Sequence, residues 1–267
     1  MPDGARLWYR RWQPAAPQQS LLLLHGFGEH SGRYDSFARL LIGFGFDVLA
    51  VDFRGHGRSS GRRGDIVRFS HYVDDIGSIL RQHWAPRPEQ GRPVLFGHSF
   101  GGLVAIHVAL KFPEAFSRLV IQSPLLKVGF PVPGWKELLA QGLQWWPTLA
   151  LPTGLDPRGL SHDTAVVEQY RQDPLVHHRI TLRVYFQIRR AMAQAMTQAD
   201  QLALPTLLLF GSDDRVVSID ACRAFGQRLQ CQHRIVEYPG CYHELHHEPV
   251  REGVAAAIAS WSLFADA

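Results

Sequence analysis

Residues 94–103, Val94-Leu-Phe-Gly-His-Ser-Phe-Gly-Gly-Leu103, read as a buried strand that turns abruptly into a helix. Residues 94–96 are apolar on both faces, as a strand inside a parallel sheet must be, and residues 103–112 carry helical spacing. Between them Gly97, Ser99 and Gly101 spell G-x-S-x-G. A serine on so tight a strand-to-helix turn is forced into a strained backbone conformation that lifts its hydroxyl off the carboxyl edge of the sheet. Glycines two residues to either side avoid collisions with the neighbouring strand and helix, so the spacing has a steric cause. A chance glycine-rich turn would account for the pentapeptide but not for the strand and helix around it. Ser99 is therefore expected to be a nucleophile.

Working outward, further short apolar runs lie at residues 21–24, 48–51, 119–121 and 207–210, with a last strand expected at 234–238. Stretches with helical spacing at 34–44, 69–84, 219–229 and 250–264 alternate with them. Such alternation predicts an α/β fold, a mostly parallel, doubly wound sheet with helices on both faces. Residues 6–12 alternate like an edge strand, antiparallel if the chain opens with a hairpin. From 124 to about 203 no strand is expected, only proline-punctuated apolar segments with helical patterns near 135–146 and 181–196. This stretch reads as a helical cap or lid inserted over the mouth of the sheet, between a first core part, 1–123, and a second, 204–267.

At 267 residues and 46% hydrophobic, the chain can bury a full core, which excludes a disordered or disulfide-stapled class. Its 28 basic and 24 acidic side chains are scattered, so no nucleic-acid arm is expected and the mild positive balance bears on solubility or anionic lipid. Cys222, Cys231 and Cys241 lack C-x-x-C spacing and suit a reducing compartment. Residues 1–12 lack the roughly 7 to 15 residue apolar run of a signal peptide. No segment approaches the roughly 18 apolar residues of a membrane span, and a cytoplasmic protein, at most peripheral to a membrane, is expected.

A serine hydroxyl needs a base within hydrogen-bond reach and a group to orient that base. Residues 207–217 place Asp213 and Asp214 just past a strand end, and residues 238–243 place His243 on the loop after the last strand. The order serine, aspartate, histidine suits this architecture, with His243 Nε2 taking the serine proton while a carboxylate holds Nδ1. Asp214 is favoured over Asp213, whose alternative role is to cap the turn or the helix beginning near Ser218. For the oxyanion hole, one donor should be the Phe100 amide and the other the Phe27 amide, in the loop His25-Gly-Phe-Gly28 after the first apolar run. His25 is expected to brace that loop. Asp52, Arg54 and His56 are expected to fix a tight turn beside the site.

His243-Glu-Leu-His-His247 also spells H-E-x-x-H, in which two histidines one helical turn apart hold zinc and Glu244 activates water. Pro239, Gly240 and Pro249 crowd that helix, and a zinc site leaves the Ser99 elbow unexplained. No metal is therefore expected.

Taken together, residues 25–34 (HGFGEHSGRY), 52–59 (DFRGHGRS), 97–102 (GHSFGG), 211–215 (GSDDR) and 242–248 (YHELHHE) resemble the monoacylglycerol lipase and lysophospholipase branch of the α/β-hydrolases. The likeness runs from about residue 3 to 261. It implies an α/β-hydrolase fold with a helical cap, supports Asp214 as the triad acid, and puts Glu29 and Arg33 at the polar end of the pocket, near a glycerol group. His246 would share that task. Phe100 stands where family members commonly carry methionine, which leaves the backbone donor unaffected but is expected to narrow the acyl site with a bulkier ring.

The expectation is thus a serine hydrolase of lipid carboxylic esters, foremost monoacylglycerol, with Ser99, Asp214 and His243 as triad and no cofactor. Its partner is a small-molecule lipid ester, with transient membrane contact through the apolar cap. A lysophospholipase, carboxylesterase or thioesterase would share the triad. A ligand-binding protein that has lost turnover is the alternative of another class.

Overall fold

The computed structural model describes residues 1, 3–82, 91–130, 142–143 and 145–263. Nine strands occur among them: β1 (Tyr9–Trp12), β2 (Gln19–Leu24), β3 (Phe46–Val51), β4 (Val94–His98), β5 (Arg118–Gln122), β6 (Ala150–Pro152), β7 (Arg179–Thr181), β8 (Thr206–Gly211) and β9 (His233–Tyr238). Seven form the central sheet in the order β1-β3-β2-β4-β5-β8-β9, parallel throughout except for β1. The edge strand is antiparallel, as its alternation suggests, but it pairs with β3 and not with its neighbour in sequence: Tyr9 faces Val51 and Trp12 faces Val48. Among the described residues β1 and β2 form no opening hairpin.

The α-helices among the described residues are α1 (Asp35–Gly43), α2 (Ser70–Gln82), α3 (Phe100–Lys111), α4 (Thr164–Gln172), α5 (Leu182–Thr197), α6 (Ile219–Arg228) and α7 (Arg251–Leu263). They divide over the two faces of the sheet, which is why the inner strands are apolar at successive positions. Leu22 and Leu24 of β2 pack with α2, α3, α5 and α6, whereas Leu21 and Leu23 pack with α1 and α7. All four leucines are fully buried. Each such side chain contributes roughly 1.5–3 kcal/mol on transfer from water, so a one-residue register slip would exchange two cores, not expose one.

Between β5 and β8 the chain leaves the sheet. This segment departs from the sequence expectation of no strand, because β6 and β7 form a short antiparallel pair with Leu151 opposite Ile180. Three-residue strands are too short for a period to show. The expected pattern near 181–196 is α5, and α4 is an additional helix, capped by the Asp163 carboxylate on the Ala165 amide. The pattern near 135–146 lies largely outside the described residues. Loop contacts tie this segment to the core: Asp65 holds Thr181 and Arg183, and His30 Nε2 meets Asp173 Oδ2 at 2.8 Å.

Close approach of α3 to β2 brings the helix start to the carboxyl edge of the sheet. A methyl group on Gly101 would lie 2.2 Å from the Leu24 carbonyl oxygen and 2.5 Å from that of His25. Both obstacles are backbone and cannot rotate aside. Gly101→Ala is therefore expected to destabilise the fold by about 1–3 kcal/mol. Urea unfolding measures this, and a midpoint equal to that of the wild type would mean that helix and strand have room to part.

Candidate active site

Ser99 stands between β4 and α3 with φ 54° and ψ −117°, in the left-handed half of backbone space that a non-glycine residue enters only when held there. Its amide donates to the Gln122 carbonyl (2.9 Å), and its own carbonyl accepts from Leu103 (3.1 Å) and Leu125 (2.9 Å). Gly97 is required for the same turn: a methyl there would meet the Gly101 carbonyl oxygen at 2.4 Å.

His243 arrives on the loop after β9, its carbonyl held by the Ser123 hydroxyl at 3.0 Å. Its Nδ1 lies 2.7 Å from Asp214 Oδ2, with the two side chains 3% and 0% exposed. Asp214 Oδ1 accepts in turn from the amides of Val216 (2.8 Å) and Val217 (3.0 Å), which fixes the carboxylate. Asp213, by contrast, is exposed and takes the Ser212 hydroxyl. Burial alone would depress the His243 pKa, but the charge and hydrogen bond of Asp214 outweigh it and raise it above the ordinary value.

Ser99 and His243 line one cavity of about 510 Å³. Its other polar lining includes Glu29, His98 and Glu244 from the core and Tyr170, His177 and Arg189 from the segment between β5 and β8, which also supplies most of the apolar lining, such as Leu160, Leu182 and Ile188. Phe27 lines it too. As the first residue of α3, Phe100 has no intrahelical acceptor for its amide. Neither that amide nor Phe27's donates a hydrogen bond among the described residues. The Phe100 ring is fully buried, edge-on to Phe27, Phe53 and Tyr72, and does not narrow the cavity.

Behind the cavity wall lies an ion network. Arg33 donates to Glu244 through both nitrogens (2.6 and 2.8 Å) and also to Glu29, whose Oε1 accepts from the Tyr34 hydroxyl (2.7 Å). Burial would raise both carboxyl pKa values, but Arg33 lowers that of Glu29 and, with His247, holds Glu244 well below the usual carboxylate range. Of the residues expected near a substrate alcohol, Glu29 lines the cavity. Arg33 and His246 lie behind it, and His246 is stacked on Tyr34 at 4.5 Å. Sequence reading weighed Glu244 only as a zinc-site base, missing its place in the cavity wall.

The H-E-x-x-H residues do not form a helix. Leu245–His247 is a single 3-10 turn, His243 is committed to Asp214, and His247 is held by Glu244 and the Arg33 carbonyl. Donor atoms of Glu244, His246 and His247 lie within 4.8 Å of one another, but the Arg33 guanidinium already takes both Glu244 oxygens. The Asp52 loop has a positioning role: its carboxylate accepts from the amides of Ser31 and Arg58, both at 2.8 Å. His25 braces its loop through Nδ1 to the Gly26 carbonyl and Nε2 from the Phe53 amide.

A strand–elbow–helix of this kind, with a buried aspartate–histidine pair at the same edge of a doubly wound sheet, defines an α/β-hydrolase. Residues 15–250 match the family described as serine aminopeptidase, S33, and the chain belongs to that family. It is 35% identical over 268 residues to the human monoglyceride lipase, covering 97% of this chain and 87% of that one. It is 31% identical over 261 residues to the monoacylglycerol lipase of Mycolicibacterium smegmatis, covering 97% and 93%. The crystal structure of the Paleococcus ferrophilus monoacylglycerol lipase superposes with a TM-score of 0.86 at 34% identity, covering 96% of this chain and 98% of that one.

Removing Arg33 should leave two buried carboxylates facing one another. Arg33→Met is expected to lose about 3–5 kcal/mol of stability, measured by urea unfolding. Because the Glu29 and Glu244 pKa values are lowered by folding, their contribution is present above the ordinary carboxylate range and is lost as pH falls through it. The wild type should therefore lose stability on acidification more steeply than Arg33→Met. Parallel pH profiles would contradict the network's role.

Proposed function

We propose that this chain hydrolyses medium- or long-chain acyl esters of a small polar alcohol, foremost monoacylglycerol, through a Ser99–His243–Asp214 triad. The reading rests above all on the 2.7 Å contact of His243 Nδ1 with buried Asp214, beside a cavity that both His243 and Ser99 line. An aspartate acceptor at Nδ1 places the proton there and leaves the Nε2 lone pair to act as base. Ser99 Oγ attacks the ester carbonyl as His243 takes its proton. The amides of Phe27 and Phe100 hold the oxyanion, and His243 then returns the proton to the leaving alcohol. Water activated by His243 hydrolyses the acyl-enzyme in the second half of the cycle.

Residues 124–203 serve as the cap over a core formed by 1–123 and 204–267, and supply the wall against which the acyl chain lies. Trp145 and Trp146, 89% and 63% exposed, give the cap an apolar surface for transient contact with a lipid interface. No helix among the described residues is long and apolar enough to cross a membrane. The similarity to named monoacylglycerol lipases and the mainly apolar cavity favour monoacylglycerol over short esters; a lysophospholipid or thioester would use the same triad.

Ser99→Ala should abolish glycerol release from a long-chain monoacylglycerol and leave the unfolding midpoint intact, and substantial residual activity in that variant would defeat the mechanism. With the His243 pKa raised, kcat/KM should fall on the acid side with an apparent pKa above the ordinary histidine value of 6.5. Asp214→Asn should lower kcat by roughly three to four orders of magnitude and move any residual acid limb to lower pH. A limb that does not move would take Asp214 out of the triad. A chain-length series run beside lysophospholipid and short-chain esters checks the substrate class.

A further inference from the structure

β9 is an outer strand of the central sheet, six residues long, and none of the six is buried. Its inner side is fixed by β8: the Thr206 amide donates to the Gln232 carbonyl (2.9 Å) and the Ser212 amide to the Tyr238 carbonyl (3.0 Å). In a parallel ladder, alternate residues turn both N–H and C=O to the same neighbour. The even-numbered residues from 232 to 238 therefore face β8, and His233, Ile235 and Glu237 turn their backbone groups outward. No backbone group among the described residues pairs with them. Open edges of this kind are ordinarily blunted by a proline, a bulge or a covering helix. β9 keeps an unbroken register along β8, and Pro239 comes only after the strand has ended.

A free edge can pair with a second copy of itself about a two-fold axis normal to the sheet, which makes the pairing antiparallel. Residues that face one another across the joint then lie on the same side of the sheet, so one residue of each copy must sit on the axis. With Ile235 there, its N–H and C=O meet those of the second Ile235, while His233 and Glu237 exchange both bonds with Glu237 and His233 of the second copy. Every outward group is used. Arg234 on the axis would set two guanidinium groups face to face, and would call on the Cys231 carbonyl, which already accepts from His233 Nδ1 at 2.9 Å. Val236 on the axis would bring Pro239, which has no N–H, opposite His233. Hydrogen bonding and charge thus select the same register, one that sets imidazole against carboxylate twice and brings no like charges together.

The side chains at this joint lie on the α6 side of the sheet. A methyl on Gly226 would meet Ile235 Cδ1 at 2.5 Å, and Glu237 accepts from Arg223 at 2.6 Å. Ile235 is nevertheless 40% exposed, an apolar centre flanked by polar groups, and a second Ile235 would cover it.

We propose that the chain forms a two-fold dimer through β9, with Ile235 on the axis and the two seven-stranded sheets continued into one. The dimer is independent of the ester-hydrolase reading, since β9 contributes no residue to the triad.

Sedimentation velocity of the full chain, from about 1 µM upward, should show a mass rising with concentration toward twice the 30.1 kDa of one chain. Ile235→Lys places two ammonium groups together on the axis and should raise the dimer dissociation constant at least about tenfold, with the unfolding midpoint of the monomer unchanged. Cysteine cross-linking reads the register. Two residues on the axis have Cα atoms about 5.5 Å apart, within disulfide range, so Ile235→Cys should give a covalent dimer on copper–phenanthroline oxidation. Glu237→Cys, with its two Cα atoms about 14 Å apart, should cross-link no more than the wild type, whose own Cys222, Cys231 and Cys241 set the background. A wild type that stays monomeric at every concentration, an Ile235→Lys variant that dimerises as tightly as the wild type, or equal cross-linking of the two cysteine variants overturns the proposal.

Discussion

The hydrogen bond from the Ser99 amide to the Gln122 carbonyl holds together the edge of the sheet on which the site is built. A non-glycine residue at positive φ costs on the order of 1–3 kcal/mol, and the described residues contain two of them at adjacent strand ends: Ser99 after β4 and Ser123 after β5. Each is locked by its neighbour strand. Ser123 donates its amide to Leu209 of β8 (2.7 Å) and its hydroxyl to the His243 carbonyl (3.0 Å). The strain is thus not isolated at Ser99. It runs along three successive strands and ends on the loop that carries His243, so sheet register sets the separation of Ser99 and His243.

Electrostatics closes the other side. Glu29 and Arg33 come from the loop and turn after β2, Glu244 and His247 from the loop after β9, and they meet in a buried cluster that joins chain segments more than two hundred residues apart in sequence. Such a pairing contributes little net stability over an apolar replacement, yet it punishes any arrangement that separates the partners. Its worth is positional. By pinning both loops it fixes where Glu29 and Glu244 stand in the cavity wall, and it leaves the wall polar without leaving a charge unpaired.

Much of this was legible in the sequence, for reasons that differ by element. The inner strands were readable because a strand covered on both faces must be apolar throughout, and the elbow because only glycine fits at 97 and 101. The partner of β1 was not, since edge alternation gives a face but no neighbour. Strands of three residues, β6 and β7, carry no period, and α4 is exposed along most of its length with only Val167 and Tyr170 buried. In the site, the sequence favours Asp214 over its neighbour Asp213, and the structure supplies the physical difference: Asp213 turns to solvent and Asp214 to His243.

The run His243-Glu-Leu-His-His247 shows why spacing by itself does not assign chemistry. As a helix it would present two zinc ligands; as a loop closing in one 3-10 turn it scatters its three imidazoles into three different environments. What separates a base from a brace is how many ring nitrogens the protein has already engaged. His25 has both engaged by backbone groups and His247 by Glu244 and the Arg33 carbonyl, and they keep no lone pair or proton for a substrate. His246 has one engaged by Gln122 and the other sealed in the core. His243 and His98 alone among these five are held at Nδ1 by a partner, line the cavity, and keep Nε2 free of any partner among the described residues. The partners are of opposite kind. Asp214 is an acceptor at Nδ1 of His243 and Gln122 a donor to Nδ1 of His98, so two imidazoles whose rings lie 4.7 Å apart face one cavity as opposite tautomers.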